Sequence, residues 1–317
     1  MRAVQLPLKP PVPPQLARPA KALPAGHEWV YEPKWDGFRA IAFVDGEDVY
    51  LQSRSGRPLR RYFPELAFPP GRYVLDGEIV LFDDRGRQDF DALGQRLHPA
   101  ESRVRMLAEQ TPTRYVAFDL LAHEDEVLFE LPQSERRARL EQLVDAPVDL
   151  TPCTASREEA EPWLRSGEGV IAKQASARYC PGERVGMMKI KRVRTIDAVV
   201  MGWRPGKEEG TVGSLILGLY GDGDHPRPVG HCSGFNAKQK RELPAKLGPY
   251  ETGKRGHGDP SRWASERDLE WVELRPELVA EVSFDHVSND RIRHGTKFSR
   301  WREDKDPREC RMTQLAD

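Results

Sequence analysis

The 317-residue chain contains no run of eighteen apolar residues, so a membrane-spanning helix is excluded. Its first residues, MRAVQLPLKPPVPPQL, lack the apolar stretch of a secretory leader. Four cysteines occur (Cys153, Cys180, Cys232 and Cys310), far apart and without a C-x-x-C pair. That scarcity excludes a zinc knuckle and a disulfide scaffold and fits a reducing cytoplasm. The eight histidines form no H-E-x-x-H, and His225, His231, His257 and His286 read as loop or surface residues. Walker loop, dinucleotide-binding glycine run and G-x-S-x-G are absent too, which leaves a P-loop ATPase without support. A net charge of −1 gives no sign of a nucleic-acid partner.

What is present is segregated. Residues 119–161 hold twelve acids against four bases, whereas 53–61 and 291–302 contain no acid. Those two segments carry Arg54, Arg57, Arg60 and Arg61, then Arg291, Arg293, Lys297, Arg300 and Arg302. The expectation is an acidic outer face and a basic cleft between domains. The length favours two domains. Seven prolines before residue 25 predict an extended arm over residues 1–28, packed on the first domain. Strands are expected from Trp29 to Lys34, Phe38 to Val44, Val49 to Leu51, Tyr73 to Leu75, Ile79 to Phe82 and Tyr115 to Phe118. Helices are expected over 88–98, 134–144 and after a capping box at Ser156–Glu159. The mixture lacks a strict strand–helix alternation, so the fold class is α+β with antiparallel sheets. The first domain is placed at 29–194. Short strands at Ala198–Met201, Leu215–Leu219, Trp271–Leu274 and Val279–Val282, separated by Gly- and Pro-rich turns, and one helix capped by Asn236, predict a five-stranded OB-type barrel over 195–317.

The most informative stretch is Glu32-Pro-Lys-Trp-Asp-Gly-Phe-Arg39. K-x-D-G alone arises by chance in roughly one chain in twelve of this length, and Lys34 read alone is a solvated surface lysine. Its company is more telling: Ser53-Arg-Ser-Gly56, Leu75-Asp-Gly-Glu-Ile-Val80, Val116-Ala-Phe-Asp119, Glu168-Gly-Val-Ile-Ala-Lys173, Met188-Lys-Ile-Lys-Arg192 and Arg300-Trp-Arg-Glu-Asp-Lys305 follow in order. With these blocks the chain resembles the covalent nucleotidyltransferases, and specifically the compact bacterial ATP-dependent DNA ligases of end joining and repair. The likeness spans nearly the whole sequence.

The resemblance implies that Lys34 attacks the α-phosphate of ATP and becomes a lysyl–AMP phosphoramidate. Such a lysine must be neutral, and burial beside the cations Lys189, Lys191 and Arg39 favours that form. Glu32 is implied to read the adenine edge, Phe118 to stack on the base, and Arg39 and Glu78 to hold the ribose. Read alone, Phe118 is equally a core aromatic, and Glu78 and Glu168 are turn carboxylates. Glu78 and Glu168 together make a reasonable Mg²⁺ or Mn²⁺ site, since such ions take one or two carboxylates plus phosphate oxygens and waters. Lys189 and Lys191 alternate with Met188 and Ile190, so both lysines face one side of a strand and suit phosphate contact. Arg54 suits a 5′-phosphate or the DNA backbone. Arg302, Asp304 and Lys305 match the family's R-x-D-K core, implied to orient the departing pyrophosphate. Upstream, Arg293-His-Gly-Thr-Lys-Phe298 departs from the family pattern, and Arg293 and Lys297 receive no role.

The implied partners are nicked duplex DNA and repair proteins, with no membrane and a monomeric enzyme. A capping guanylyltransferase shares the lysine and the two-domain plan, but R-x-D-K and the position of Glu32 favour adenine and DNA. An RNA ligase stays open, because nothing in the sequence reports on 2′-hydroxyls. A non-catalytic OB protein holding single strands is the alternative from another class, and leaves Lys34, Glu168 and Lys189 unexplained. An NAD-dependent ligase is disfavoured, since no nicotinamide-binding segment is expected before Lys34.

Overall fold

The structure is a computed structural model that describes residues 6–257, 270–284, 287–288, 290–292 and 295–315. His286 and Arg293 lie outside the described residues, as does the side chain of His257. The chain forms two compact units, Met1–Arg192 and Val193–Asp317.

In the first unit the strands are β1 (Arg18–Ala20), β2 (Trp29–Pro33), β3 (Phe38–Gly46), β4 (Asp48–Ser53), β5 (Gly71–Val80), β6 (Arg114–His123), β7 (Glu126–Val127), β8 (Asp149–Leu150), β9 (Gly169–Gln174) and β10 (Met187–Lys191). The helices are α1 (Phe90–Gln95), α2 (Glu101–Gln110), α3 (Gln133–Leu143) and α4 (Arg157–Ser166). A six-stranded sheet runs β4-β3-β5-β6-β7, with β8 added beside β6, and a four-stranded sheet runs β1-β10-β9-β2.

The sequence of β3 shows why the large sheet is central. Ala40, Ala42 and Val44 enter one core with Phe63, Leu93 and Leu140, while Ile41 and Phe43 enter a second with Val74 and Leu121. A strand buried on both faces reads as one continuous apolar run. The second face is covered by the proline-rich arm, whose Leu6 and Val12 are buried against it. Gln52 pins the arm by accepting from the Val12 N–H at 2.8 Å and donating to its carbonyl at 2.6 Å.

Three expectations need correction. The two strands expected around Asp76-Gly77 are one ten-residue strand, β5. Gly77 pairs with Ala40 and Ala117 in the ladder, and only glycine fits there, since a Cβ would stand 2.6 Å from the Tyr115 ring and from the Val116 carbonyl. The helix expected over 88–98 is only Phe90–Gln95, and α2 follows it as a separate helix the sequence reading omitted. Ser156 does cap α4 by accepting from the Glu159 N–H, but Glu159 bonds the Thr154 hydroxyl instead of closing the box.

The second unit contains β11 (Arg194–Pro205), β12 (Val212–Tyr220), β13 (Pro226–Cys232), α5 (Ala237–Leu247), β14 (Glu251–His257), β15 (Glu270–Leu274), β16 (Val279–Phe284), β17 (Val287–Ser288), β18 (Arg291–Ile292) and β19 (Lys297–Trp301). β11 pairs with β16 over Arg194–Val199, bulges between Val200 and Gly202, and then pairs with β15. A bulge of this kind re-aims a strand where a sheet curls. β12 and β13 extend one side, β16 and β19 the other, and the bridge from Cys232 to Thr296 brings the two edges together. The circuit is therefore a five-stranded barrel of β11, β12, β13, β16 and β19, with Leu243 and Leu247 of α5 in its core. A barrel of five strands with one helix holds, but β13 and β19 went unnoticed, and the strand expected at Trp271–Leu274 is β15, which lies outside the circuit and pairs with β14.

Candidate active site

Register alone gathers a set of polar residues on one face of the small sheet. Glu32 pairs with Ile171, Ile171 with Lys189, and Lys173 with both Val30 and Met187. Opposed residues in antiparallel strands share a face, so Glu32, Ile171, Lys173, Met187 and Lys189 point the same way. Their neighbours Tyr31, Val170, Ala172 and Ile190 point to the other side and form a core with α4. On the large sheet Arg39 pairs with Glu78, on the face that buries Ile41, Phe43 and Val74 further along. The two polar faces, with Phe118 of β6, enclose a cavity of about 630 Å³. That volume lies within the range of small-molecule sites.

Lys34 enters the cavity from the end of β2. Its N–H donates to the Gly169 carbonyl at 2.9 Å, and its Nζ lies 3.9 Å from Glu168 Oε2. Gly169 has φ +134°, and a Cβ there would collide with the Ile190 carbonyl at 2.1 Å, so only glycine passes under β10 at this point. The following turn is fixed by Trp35 Nε1 donating to Thr151 Oγ1 at 2.9 Å and the Asp36 N–H donating to Gln88 Oε1 at 2.6 Å.

Glu32 is 2% exposed and paired with Lys173, whose Nζ lies 3.0 and 2.9 Å from the two carboxylate oxygens. Burial raises the Glu32 pKa, and the Lys173 charge works against that rise. Lys173 also donates to the Phe118 carbonyl at 2.8 Å, and its Nζ stands 5.0 Å from the Phe118 ring centroid. The Arg39 guanidinium lies 5.2 Å from the same centroid and grips Asp76 through two hydrogen bonds of 2.9 and 2.5 Å. Burial pushes the Glu78 carboxyl up to about 8, although Arg39 and Lys34 pull it down. Lys189 is shifted down by burial and by the neighbouring charges of Lys191, Lys34, Arg54 and Arg184.

Of the residues singled out from sequence, Lys34, Glu32, Arg39, Arg54, Glu78, Phe118 and Lys189 line this cavity. Glu168 does not line it but pairs with Lys34. Lys191 is not in the lining either; it lies on the same strand face as Lys189, opposite Gly169. Glu78 is a strand residue and not a turn carboxylate. Within the arginine patch, Arg54 and Arg57 are exposed, while Arg60 is bonded to the Phe63 and Leu66 carbonyls and Arg61 to the Pro99 carbonyl at 2.9 Å. Sequence reasoning gave no role to Lys173, Asp76, Tyr179 or Arg184. Lys173 closes a block quoted for other residues, and its strand parity with Ile171 was the available signal.

In the second unit Arg302 lies between two carboxylates. Its Nε and Nη2 donate to Asp304 at 2.9 Å each, and Nη1 donates to both oxygens of Asp197 at 2.9 Å. The bonds from Arg302 hold Asp304 down at about 2. Lys305 pairs with Glu309 at 3.2 Å and with Asp197 at 3.9 Å. Arg302, Asp304 and Lys305 thus form one network around Asp197, a β11 residue that no motif marks.

Among the described residues no three His, Cys, Asp or Glu side chains converge as a metal cage, and no helix is long and apolar enough to cross a membrane. A lysine lining a cation-rich cavity between two sheets that are antiparallel except for the β1–β10 and β6–β8 pairs, with an OB-type barrel as the second unit, defines the architecture of a covalent nucleotidyltransferase. Residues 14–191 match the ATP dependent DNA ligase domain, and residues 208–305 match the ATP dependent DNA ligase C terminal region. The chain belongs to the ATP-dependent DNA ligase family. DNA ligase C of Mycobacterium tuberculosis is 44% identical, over 98% of this chain and 96% of that protein. The multifunctional non-homologous end joining DNA repair protein LigD of the same species is 30% identical over 89% of this chain and 37% of its own length. The crystal structure of the ligase domain of M. tuberculosis LigD is 28% identical, with a TM-score of 0.52 over 94% of this chain and 97% of that one. A mycobacterial DNA ligase D complexed with ATP and MES, also 28% identical, gives a TM-score of 0.53 over 94% and 97%.

Proposed function

We infer that the chain seals nicks in duplex DNA, joining a 5′-phosphate to a 3′-hydroxyl with ATP as the adenylate donor and Lys34 as the nucleophile. The observation that carries this is the placement of Lys34 at a 630 Å³ cavity lined by six cations and two carboxylates. The cations are Lys34, Arg39, Arg54, Lys173, Arg184 and Lys189, and the carboxylates Glu32 and Glu78. Such a lining suits a polyanionic nucleotide.

Within that reading the residues divide the work by position. Phe118 offers a face for the base, and Glu32, a buried acceptor held by Lys173, suits the exocyclic amino group of adenine. Arg39 and Glu78, side by side on β3 and β5, are placed for the ribose hydroxyls, and Lys189 and Lys191 for the phosphates. The Lys34 amine attacks the α-phosphorus, a P–N bond forms, and the P–O bond to pyrophosphate breaks. The nick's 5′-phosphate then attacks the same phosphorus, the P–N bond breaks, and the lysine returns to its starting form. Finally the 3′-hydroxyl attacks the adenylated 5′-phosphate, closes the strand and releases AMP. Every step is an in-line displacement, so the protein contributes positioning and charge neutralisation. Glu78 and Glu168 both feel the Lys34 charge or pair with it, and two carboxylates suit a divalent cation that completes its shell from phosphate and water. They are the residues that would hold Mg²⁺ or Mn²⁺, which when bound would neutralise triphosphate charge. Arg302, Asp304 and Lys305 are assigned to the departing pyrophosphate. A repair role is proposed from the likeness to LigD, whose name states end joining.

The test is incubation with α-labelled ATP or GTP and a divalent cation, followed by a nicked DNA or RNA duplex. An acid-labile adduct with ATP, its absence in Lys34→Ala, and faster sealing of DNA are expected. An adduct that persists in Lys34→Ala would remove the lysine from the chemistry.

A further inference from the structure

A hydrogen-bonded chain runs from the proline-rich arm to the cavity. Tyr179 is 2% exposed, and its hydroxyl donates to Asp76 Oδ2 at 2.8 Å. Asp76 is fully buried, and the same carboxylate receives both hydrogen bonds from Arg39. The Tyr179 oxygen in turn accepts from the Gln15 N–H at 3.0 Å. The phenol oxygen is thus bonded at once to the arm and to the anchor of a cavity-lining arginine. Burial and Asp76 push its pKa well above the usual range, so it stays a donor at any working pH.

The ring has little freedom to turn. Phe129 stacks on it at 5.3 Å and 21°, and the Arg136 guanidinium, paired with buried Asp119, lies 5.7 Å from the ring centroid. The arm is fixed on both sides of Gln15, where the Pro14 carbonyl accepts from the Gly182 N–H at 3.3 Å, and at Gln15 itself. The Leu16 N–H donates to the Glu183 carbonyl at 2.8 Å, and the Gln15 side chain donates to the Val185 carbonyl at 2.5 Å. Leu16 and Ala17 are themselves part of the cavity wall.

We propose that Tyr179 is a positioning residue for the nucleotide: by holding Asp76 it fixes where the Arg39 guanidinium stands, and so sets affinity for the ribose of ATP. A carboxylate with two oxygens can rotate or share its bonds. Asp76 is denied that freedom because Arg39 donates to both of its oxygens and Tyr179 donates to Oδ2 from a second fixed direction. Without the phenol oxygen, Oδ2 loses one of its partners and the arginine gains room to follow the carboxylate. A misplaced guanidinium weakens binding of the sugar before it affects attack at phosphorus.

The proposal rests on the cavity being the ATP site, and one assay separates the two. Wild-type adduct formation is scored first, and its absence would overturn the ligase reading itself. Tyr179→Phe is then compared with wild type using ATP and 3′-deoxy-ATP. The expected result is a 3- to 10-fold rise in KM for ATP, kcat within about 2-fold, and a smaller rise for 3′-deoxy-ATP, so that sugar discrimination falls. Leu140→Val, a change in the separate core under α3, serves as a control and should lower Tm without altering discrimination. Unchanged kinetics in Tyr179→Phe, or an equal rise for both nucleotides, overturns the assignment.

Discussion

Lys173 and Glu32 are 141 residues apart in sequence, yet their charged groups meet at 2.9 Å with each side chain 3% exposed. β9 brings the lysine beside β2 with both residues on the cavity face. A carboxylate so buried is costly alone, and the lysine's remaining proton is satisfied by the Phe118 carbonyl. The pair therefore fixes both the charge of a proposed base-reading residue and the position of the aromatic beside it.

Replacing Lys173 by Met should leave that carboxylate with the more distant Arg137, 4.0 Å away, in place of its hydrogen-bonded partner. Loss of one partner of a buried pair costs about 3–5 kcal/mol. For a unit of this size each kcal/mol lowers Tm by about 2–4 °C. The Glu32 pKa, already raised by burial, loses its main counterweight in the variant. A raised carboxyl pKa favours the folded state when protonated, so the deficit of the variant should shrink as pH falls below neutrality. The double variant Glu32→Gln, Lys173→Met should recover much of the stability and little of the adenylation. Thermal unfolding across pH 5–8, beside adduct formation, checks both; a pH-independent deficit would contradict the argument.

Glu78 provides a second pH signature. Its carboxyl is pushed up to about 8, against a reference of 4.5 for the free group. Because the folded-state value is the higher one, the penalty is nil below about pH 4.5 and grows as pH rises through 8. Glu78→Gln should match wild-type Tm at pH 4 and exceed it by several degrees at pH 8.5. Adenylation should nevertheless drop at least 10-fold, because the carboxylate is lost from the ribose and cation. Calorimetry at the two pH values decides the first part, and the labelled-ATP assay the second.

How far these features were legible follows from what a linear pattern can carry. The blocks around Lys34, Glu78, Glu168 and Lys189 could be read because each is a short local motif and their order resembles a family, whereas spacing alone fixed only the shared strand face of Lys189 and Lys191. That Glu32 and Lys189 share a face was not legible, because it comes from the β2–β9–β10 register. The grip of Asp76 on Arg39 could not be read, because it depends on the β3–β5 register and on a bulge in the β5–β6 pairing at Asp76. Asp197 was invisible for a similar reason. It lies in an apolar strand, and its partner Arg302 comes 105 residues later. The barrel was anticipated from turn spacing, yet β13 and β19 were missed, since PRPVGHC and KFSRW carry prolines and charges that mask strand character.

Asp197 leads to a third prediction. Arg302 is held by Asp304 on one side and by Asp197 on the other, with Glu281 3.8 Å away, so removal of Asp197 releases Nη1 and lets the guanidinium shift toward Glu281. If the R-x-D-K segment serves pyrophosphate departure, Asp197→Asn should slow self-adenylation about 10-fold. It should leave sealing of a pre-adenylated nick within about 2-fold. Single-turnover measurements of the two steps distinguish this from a general loss of folding, which would slow both alike.

The arginine patch separates into contact and scaffold by the same logic. Arg54 is exposed and lines the cavity, whereas Arg60 spends its guanidinium on the Phe63 and Leu66 carbonyls. Each phosphate contact adds about 0.9 to the slope of log affinity against log salt on duplex DNA. Arg54→Ala should therefore weaken binding to a nick and flatten that slope by about one. Arg54→Lys should keep the slope but bind less tightly, because an ammonium cannot make the two parallel bonds of a guanidinium. Arg60→Ala should lower Tm by releasing the 60–66 turn while leaving the salt slope unchanged. Binding to a nicked duplex from 50 to 200 mM salt reads all three, and equal slopes for Arg54→Ala and wild type would place Arg54 away from the phosphates.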